Sequence, residues 1–483
     1  MAPVIMLEFN ELTPSLMDRF ISQGHLPGFK RLRDRSVAFI TEAEEEPPAL
    51  EPWIQWVTVH TGLSYSEHGV YDLGDGEELR APRIWDLVAD AGEKAWICSS
   101  MNATVQTGRP DHVHLIPDPW AVNLRPIPEG RYDPFYRFVR TYVQEYTRDR
   151  PPFTKSDYAR FAMFMLGHGL SARTVKDAVL QLASERSGAP KWKRAVILDR
   201  LLWDVFRSEW KRMRPVLSTF FLNSTAHFQH YYWRNMEPER FSLKHDGDDN
   251  AADAILLGYK NMDRIVRECL RMAGDDATVV LATALSQQPL TTYDEKGGKQ
   301  IYKPRDPTVL LRFAGYSGKV RYSPVMAEQF HLFFESEEDA ADALDRLRAL
   351  RIGDRRVMEA RRDGKKIFAG CSIIAQPDED AEVTTPYANR AAGFDVLFYP
   401  VEGLKSGMHH PDGILWIAKP GTVARAIDRK ASLREIAPTL MALCGIGAAG
   451  RFAMPPMPEV AEAEAMPTSG GPVGSPSAQG ANV

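Results

Sequence analysis

The stretch that decides the fold is Val4 to Glu11, which reads VIMLEFNE. Its apolar part, Val4 to Phe9, predicts a buried strand. Residues Leu12 to Gln23 then predict a helix, because Thr13-Pro14 suits a helix start. A strand, a polar loop and a helix in this order are the first unit of a parallel sheet. Ligands of such sheets bind where the strands end, so the polar residues after the strand are candidates for a site.

The same alternation of buried strands and helices continues along the chain. Further strands are predicted at Lys94 to Ser99, Val216 to Leu222, Ala277 to Ala282, Asp395 to Tyr399 and Ile414 to Ala418. Helices are predicted at Arg83 to Ala91, Ala251 to Met272 and Leu433 to Cys444. This pattern predicts an α/β protein with a doubly wound, mostly parallel sheet.

Two insertions and a tail interrupt the predicted core. The core parts are residues 1–129, 215–299 and 391–449, separated by a helical cap insertion at 130–214 and a small α+β insertion at 300–390. Inside the cap, Lys191 to Arg214 has an apolar face, which favours packing on the core, with peripheral contact to a membrane surface as the alternative. Residues 450–483 are rich in Ala, Pro, Gly and Ser, which predicts a disordered tail.

Composition limits the class of protein. The 483 residues carry a net charge of −5, which argues against an electrostatic nucleic-acid binder. The four cysteines lack metal-type spacing, so a reducing compartment is expected. The sequence shows neither a signal peptide nor a transmembrane segment, so we expect a cytoplasmic protein. The oligomeric state stays open.

Polar residues cluster just after or before the predicted strands. The candidates for a site are Glu8, Asn10, Glu51, Gln55, Asn102, His227, His230, His409 and His410. Carboxylates and imidazoles from separate loops suit a divalent metal site, and they also suit general acid–base chemistry. His60 and His68 are interpreted as structural residues that hydrogen-bond loops.

Five motifs follow one another in an order that resembles a known family. They are GHLPGFKRL at 24–32, the TG and HG pairs at 61–62 and 68–69, AHFQHYYW at 226–233, HHPDGIL at 409–415, and SLREIAPTL at 432–440. This order resembles the alkaline phosphatase superfamily, most closely its type I phosphodiesterase/nucleotide pyrophosphatase branch. The resemblance covers most of residues 3–447 apart from the two insertions, and it implies a fold of alkaline-phosphatase type.

The resemblance also implies where the site departs from the family. Members generally bind two zinc-type ions and attack phosphorus with a Ser or Thr. The first metal aspartate of the family falls at Glu8 and its last metal histidine at His409, whereas its nucleophile falls near Glu51, where no hydroxyl is available. The aspartate before His230 is replaced by Ala226, and residues 283–287 lack the later Asp-His pair. The two-metal site is therefore substantially dismantled.

These residues support one leading hypothesis and two alternatives. The leading hypothesis is a hydrolase acting on a phosphate or sulfate ester or a related activated sugar, with a small-molecule or glycan substrate. Its catalytic residues would be Glu51 and His230, and Glu8 and His409 would hold one divalent ion, zinc or manganese. Substrate would be bound by Asn10, Gln55, Asn102, His227 and His410. The alternatives are a pseudoenzyme that binds a phosphorylated or glycan ligand or a partner, and a group transferase that reuses the pocket.

Overall fold

The structure is a computed structural model that describes residues 2–121, 124–143, 153–243, 251–325, 328–447 and 450–462. The strands are β1 (Val4–Phe9), β2 (Val37–Glu42), β3 (Ala95–Cys98), β4 (Val113–Ile116), β5 (Leu217–Leu222), β6 (Thr278–Ala282), β7 (Ser286–Pro289), β8 (Tyr302–Pro304), β9 (Arg321–Pro324), β10 (Phe330–Phe333), β11 (Arg351–Ile352), β12 (Arg355–Arg356), β13 (Met358–Asp363), β14 (Lys366–Cys371), β15 (Glu382–Val383), β16 (Ala392–Gly393), β17 (Phe398–Pro400), β18 (Gly407–His410), β19 (Asp412–Ala418) and β20 (Arg425–Ser432).

The α-helices of the described residues follow the same chain order. They are α1 (Pro14–Ser22), α2 (Pro27–Arg33), α3 (Pro52–Thr61), α4 (Tyr65–His68), α5 (Ile84–Asp90), α6 (Asp133–Val143), α7 (Lys155–Gly167), α8 (Ala172–Glu185), α9 (Arg194–Met213), α10 (Ser224–Met236), α11 (Ala254–Ala273), α12 (Pro307–Phe313), α13 (Glu337–Arg348), α14 (Phe394–Leu397), α15 (Ile436–Leu443) and α16 (Pro458–Glu462). None of them is long and apolar enough to cross a lipid bilayer.

The central sheet has eight strands in the order β20-β2-β19-β6-β1-β5-β3-β4. All of them run parallel to β1 except β19, which is antiparallel to both of its neighbours. This architecture confirms the predicted α/β fold with a mostly parallel sheet.

Strand β1 is buried on both faces, as the apolar run predicted. Its side chains alternate between two cores: Ile5, Leu7 and Phe9 face helices α1, α2, α9 and α11. The even-numbered Val4 and Met6 face α3, α5 and α15. Helices therefore cover both faces of the sheet, and β1 delivers the residues after Phe9 to the sheet edge.

The described part of the predicted cap, residues 130–214, is helical. Its last helix, α9, leads directly into β5 and packs on the sheet, with the rings of Trp203 and Phe206 centred 5.2 and 4.9 Å from the ring of Phe220. The apolar side chains Leu202, Val205 and Phe206 belong to the core. The apolar face of α9 is therefore used inside the protein, which agrees with packing on the core rather than with membrane contact.

The second insertion forms a small sheet in the order β13-β14-β10-β9, which packs with α12 and α13 around its own core. The strand predicted at Asp395 to Tyr399 is wrong in its first part, where the chain forms α14, and its last two residues belong to β17, which pairs with β8 outside the central sheet. A short apolar run fits a strand and a buried helical turn equally well. Sequence reasoning also missed β2 and the polar edge strand β20.

The predicted disordered tail is wrong for residues 450–462, whereas 463–483 lie outside the described residues. Met457 and Val460 are buried, and the Met457 N–H donates to Thr439 Oγ1 over 2.9 Å. The Arg429 guanidinium also donates to Glu459. The composition of the segment did not indicate these contacts, because the few residues that make them lie among prolines and alanines.

We predict that α16 contributes measurably to stability. A chain ending at residue 449 should have an unfolding free energy about 3 kcal/mol lower than a chain ending at residue 462. The shorter chain lacks the buried side chains of Met457 and Val460 and exposes the apolar surface that they cover. Chemical denaturation of both chains measures the difference. Equal midpoints and slopes would show that the packing of Met457 and Val460 contributes nothing.

Candidate metal and catalytic site

Three possible metal ligands meet at the carboxyl edge of the central sheet. Glu11 follows β1, His230 lies on α10 just after β5, and His409 lies on β18. One donor atom from each lies within 4.8 Å of the other two. Glu11 Oε2 is 3.2 Å from His230 Nε2 and 3.5 Å from His409 Nε2. The side chain of Glu11 is almost fully buried, whereas the two imidazoles are partly accessible.

The backbone at this edge takes uncommon conformations. Glu11 has φ of 61° and Ala284, after β6, has φ of 58°. Ser99 and Asn102, after β3, also lie in the left-handed region. Non-glycine residues adopt this region only when the surrounding structure holds them there, and such residues cluster at functional sites. The left-handed turn lets the Glu11 side chain leave the line of the strand and reach the edge.

Gly407 brings strand β18 into direct contact with helix α10. A Cβ at this position would lie 2.3 Å from the carbonyl oxygen of Gln229, so no larger residue fits. The close approach places the Gly407 carbonyl 3.0 Å from His230 Nδ1. It also fixes His409 two residues later, on the same strand.

The hydrogen bond to Gly407 orients His230 for ligation. When Nδ1 donates to this carbonyl, a neutral ring presents the lone pair of Nε2 to the Glu11 carboxylate. Two lone-pair donors 3.2 Å apart repel each other unless a proton or a cation lies between them. Histidine ligands of metals are typically held by such a bond from the other ring nitrogen to a carbonyl. The donor set therefore fits a divalent cation.

The pKa values of Glu11, His230 and His409 shift in the direction that favours metal ligation. Burial raises the pKa of Glu11, but His409, His230 and hydrogen bonds outweigh it and hold that pKa at about 2. Burial lowers the pKa of His409 to about 4, against the opposing effect of Glu11. Burial likewise lowers the pKa of His230. The lowered pKa of Glu11 favours its ionised carboxylate, and the lowered pKa values of His409 and His230 favour neutral imidazoles, which are the forms that ligate metals.

Glu51 adjoins this group at the first turn of α3. It occupies the N-cap position, and its Oε2 lies 3.5 Å from His409 Nδ1. Its side chain is 28% exposed, so a substrate can reach it. Burial raises the pKa of Glu51, although Lys405 opposes the shift. Glu51 and His230 both lie beside His409, since the ring centroids of His230 and His409 are 5.2 Å apart. Their catalytic roles stay a prediction.

Asn10 and Gln287 support the Glu11 carboxylate. Asn10 Nδ2 donates to Glu11 Oε1 over 2.6 Å, and Asn10 Oδ1 accepts from Trp56 Nε1 over 2.8 Å. Gln287 Nε2 donates to Glu11 Oε2 and to the Ala226 carbonyl. Asn10, predicted as a substrate-binding residue, is fully buried and orients Glu11 instead. Sequence reasoning missed Gln287 and the position of Glu11 beside two imidazoles, although both residues follow predicted strands.

The prediction of Glu8 as a metal ligand needs correction. Its carboxylate hydrogen-bonds His60 Nε2 over 2.8 Å and accepts from Ser100 Oγ over 2.6 Å, in a fully buried network. The reason is the alternation of the strand: Glu8 is still inside β1 and shares the parity of the side chains that face α3. Only Glu11, beyond the strand, reaches the edge. His60 is structural, as predicted.

The remaining predicted residues make other contacts. Asn102 Nδ2 donates to the Trp53 carbonyl over 3.0 Å, and buried Gln55 Nε2 donates to the Ala49 carbonyl over 3.3 Å, so both hold loops. His227, one helical turn before His230, lies 3.1 Å from Glu402 at the surface. His410 Nδ1 accepts from the Asp412 N–H at the turn between β18 and β19. Substrate binding by His227 and His410 stays a prediction.

Comparison with solved structures finds proteins whose backbone path is similar to that of this chain, at low sequence identity. Phosphonoacetate hydrolase from Sinorhizobium meliloti 1021, in complex with phosphonoacetate, is 12% identical with a TM-score of 0.41, over 92% of this chain and 95% of that one. Murine ectonucleotide pyrophosphatase/phosphodiesterase 5, in complex with AMP, is 10% identical with a TM-score of 0.43, over 96% and 100%. Its human counterpart is 9% identical with a TM-score of 0.41, over 94% and 96%.

No family model matches the sequence, and no curated protein does.

We predict that Glu8 is a determinant of stability. Glu8→Ala should lower the unfolding free energy by about 3 kcal/mol, because buried His60 and Ser100 lose their acceptor. Denaturant titration measures the loss, and Glu359→Ala on the exposed face of β13 is the matched control, with little change expected. A Glu8→Ala protein as stable as the control would contradict the structural role.

Proposed function

We propose that this protein is a hydrolase of phosphate or sulfate esters, or of related activated sugars, that works with one divalent ion held by Glu11, His230 and His409. The observation that carries the proposal is the convergence of these three donors with Glu51 beside them. Two imidazoles and one carboxylate leave an open position on a tetrahedral ion, as in catalytic zinc sites. A zinc or manganese ion would supply Lewis-acid polarisation of an ester oxygen.

Other residues of the chain would position the metal ligands and transfer a proton in the proposed reaction. Gly407 and the Glu11 partners Asn10 and Gln287 hold the donors in place before substrate arrives. Glu51 is the accessible carboxyl group of the site, and we assign to it the transfer of a proton to or from the reacting oxygen. The family nucleophile position carries no hydroxyl, so water is the attacking group in this proposal.

Two lysines favour an anionic substrate. Lys299 and Lys405 face each other across an isolated β-bridge, and the charges of both act on Glu51. Positive charge beside a carboxyl group and two imidazoles suits a phosphoryl or sulfuryl group, whose negative charge spreads over several oxygens.

A reducing compartment, and with it a cytoplasmic location, stays part of the proposal. All four cysteines are free and buried, which supports it.

The first test of the proposal is metal content. After chelation and incubation with zinc or manganese, the purified protein should retain one ion per chain by elemental analysis. His230→Ala and His409→Ala should each lose it, because two protein ligands hold such an ion poorly. His227→Ala is the matched control, since it removes an imidazole from the same helix at the surface. Equal metal content in the control and both site variants would contradict the assigned ligands.

The second test separates catalysis from binding. Glu51→Gln should retain the metal but lower kcat about 10²- to 10⁴-fold on an aryl phosphate, phosphodiester or sulfate that the wild type hydrolyses. Turnover equal to the wild type would remove Glu51 from the mechanism.

Two other outcomes would favour the alternatives. Binding of an anionic ligand without any turnover would favour the pseudoenzyme. Product that appears only when a hydroxyl acceptor is added would favour the transferase.

A further inference from the structure

Helices α7 and α8 carry most of the large apolar side chains that are exposed to solvent within the described residues. Seven of the eleven large apolar side chains that are exposed within the described residues lie on these two consecutive helices. On α7, Met163 and Leu166 are 70% and 69% exposed. On α8, the exposed side chains are Val175, Val179, Leu180 and Leu182. Water-soluble monomers seldom gather so many exposed apolar groups unless something covers them.

The polarity of α8 is reversed relative to an ordinary surface helix. Its inward contacts are ionic: Asp177 pairs with Arg264 of α11 over 2.8 Å and with Arg200 of α9. Val175, Val179 and Leu182 follow the spacing of one helix face and point to solvent. A helix whose outer face lies in water normally buries its apolar side chains and exposes its charged ones.

The acidic side chains of residues 153–190 are neutralised within the protein. Asp157 lies 3.0 Å from an Arg137 nitrogen, and Glu185 pairs with Arg194, while Asp177 is paired as above. None of these three acids is exposed, whereas the exposed charged residues of α7 and α8 are all cations: Lys155, Arg160, Arg173 and Lys176. The outer side of the two helices is thus apolar and positively charged.

A cationic cavity of about 370 Å³ opens where α8 begins. Its lining includes Arg173 of α8, Arg207 and Lys211 of α9, and Arg264 and Arg271 of α11, against the single carboxylate of Glu268. Such a cavity suits a phosphate-sized anion, although Arg207 and Arg264 are also paired with Asp204 and Asp177.

We propose that α7 and α8 dock this protein on an anionic membrane surface. The apolar side chains enter the boundary between headgroups and acyl chains, the exposed cations meet the negative surface, and the cavity receives a lipid phosphate. A second copy of the chain fits less well, because a two-fold contact would bring these cations face to face. The contact is peripheral, and it is independent of the proposed hydrolysis.

Vesicle co-sedimentation tests the proposal with the full chain. The wild type should bind vesicles of phosphatidylcholine with phosphatidylserine, bind phosphatidylcholine alone far less, and release as salt is added. Leu166→Asp with Leu182→Asp should reduce binding at least tenfold. The matched control is Val309→Asp with Val396→Asp, which places the same charges on exposed apolar positions of α12 and α14. Arg173→Glu with Lys176→Glu should also weaken binding, since each lost cation costs roughly fivefold.

All three double variants change exposed side chains, so unchanged melting curves should accompany them. The proposal is overturned if wild type and the Asp variant on α7 and α8 bind anionic vesicles equally. It is also overturned if the wild type ignores vesicles but elutes as a dimer that this variant converts to a monomer, since a second copy would then cover the helices.

Discussion

The buried carboxylate of Glu11, facing two imidazole nitrogens, is the constraint around which this site is built. An ionised carboxylate is costly to bury unless charge and hydrogen bonds compensate it. The chain supplies Asn10 and Gln287 as donors, and the imidazoles of His230 and His409 complete the surroundings. With His230 Nδ1 committed to the Gly407 carbonyl, one position between Nε2 and the carboxylate remains for a cation. This is the position that we propose for one ion.

The rest of the fold keeps this edge rigid. Strand β1 is buried between two cores, and β18 is held against α10 by a contact that only glycine allows. The small sheet of the second insertion is tied to the core by ion pairs, Arg361 with Asp72 and Lys366 with Asp75, the latter at 2.7 Å. Glu8 and His60 add a buried hydrogen bond of 2.8 Å beneath the sheet edge. Stability and ligation therefore rest on different glutamates of the same N-terminal segment.

Much of the fold was predictable from the sequence because strands buried on both faces leave continuous apolar runs. The limits of β1, β5 and β6 were predicted to within one residue of those observed, whereas β20 was missed because its exposed edge carries mostly polar residues. The site was predictable only in part. Position after a strand pointed to His230, position before a late strand pointed to His409, and the family resemblance pointed to Glu51. The choice between Glu8 and Glu11 depends on strand parity and on a left-handed turn. Neither Gln287 nor the contact at Gly407 leaves a signal in one sequence.

The central claim, that one ion is held by Glu11, His230 and His409, is tested most directly by anomalous diffraction from crystals of the zinc-loaded protein. One strong peak is expected at about 2.0–2.2 Å from a Glu11 oxygen, His230 Nε2 and His409 Nε2. A peak beside Glu8 and His60, or a zinc-soaked crystal whose peaks all lie elsewhere, would contradict it.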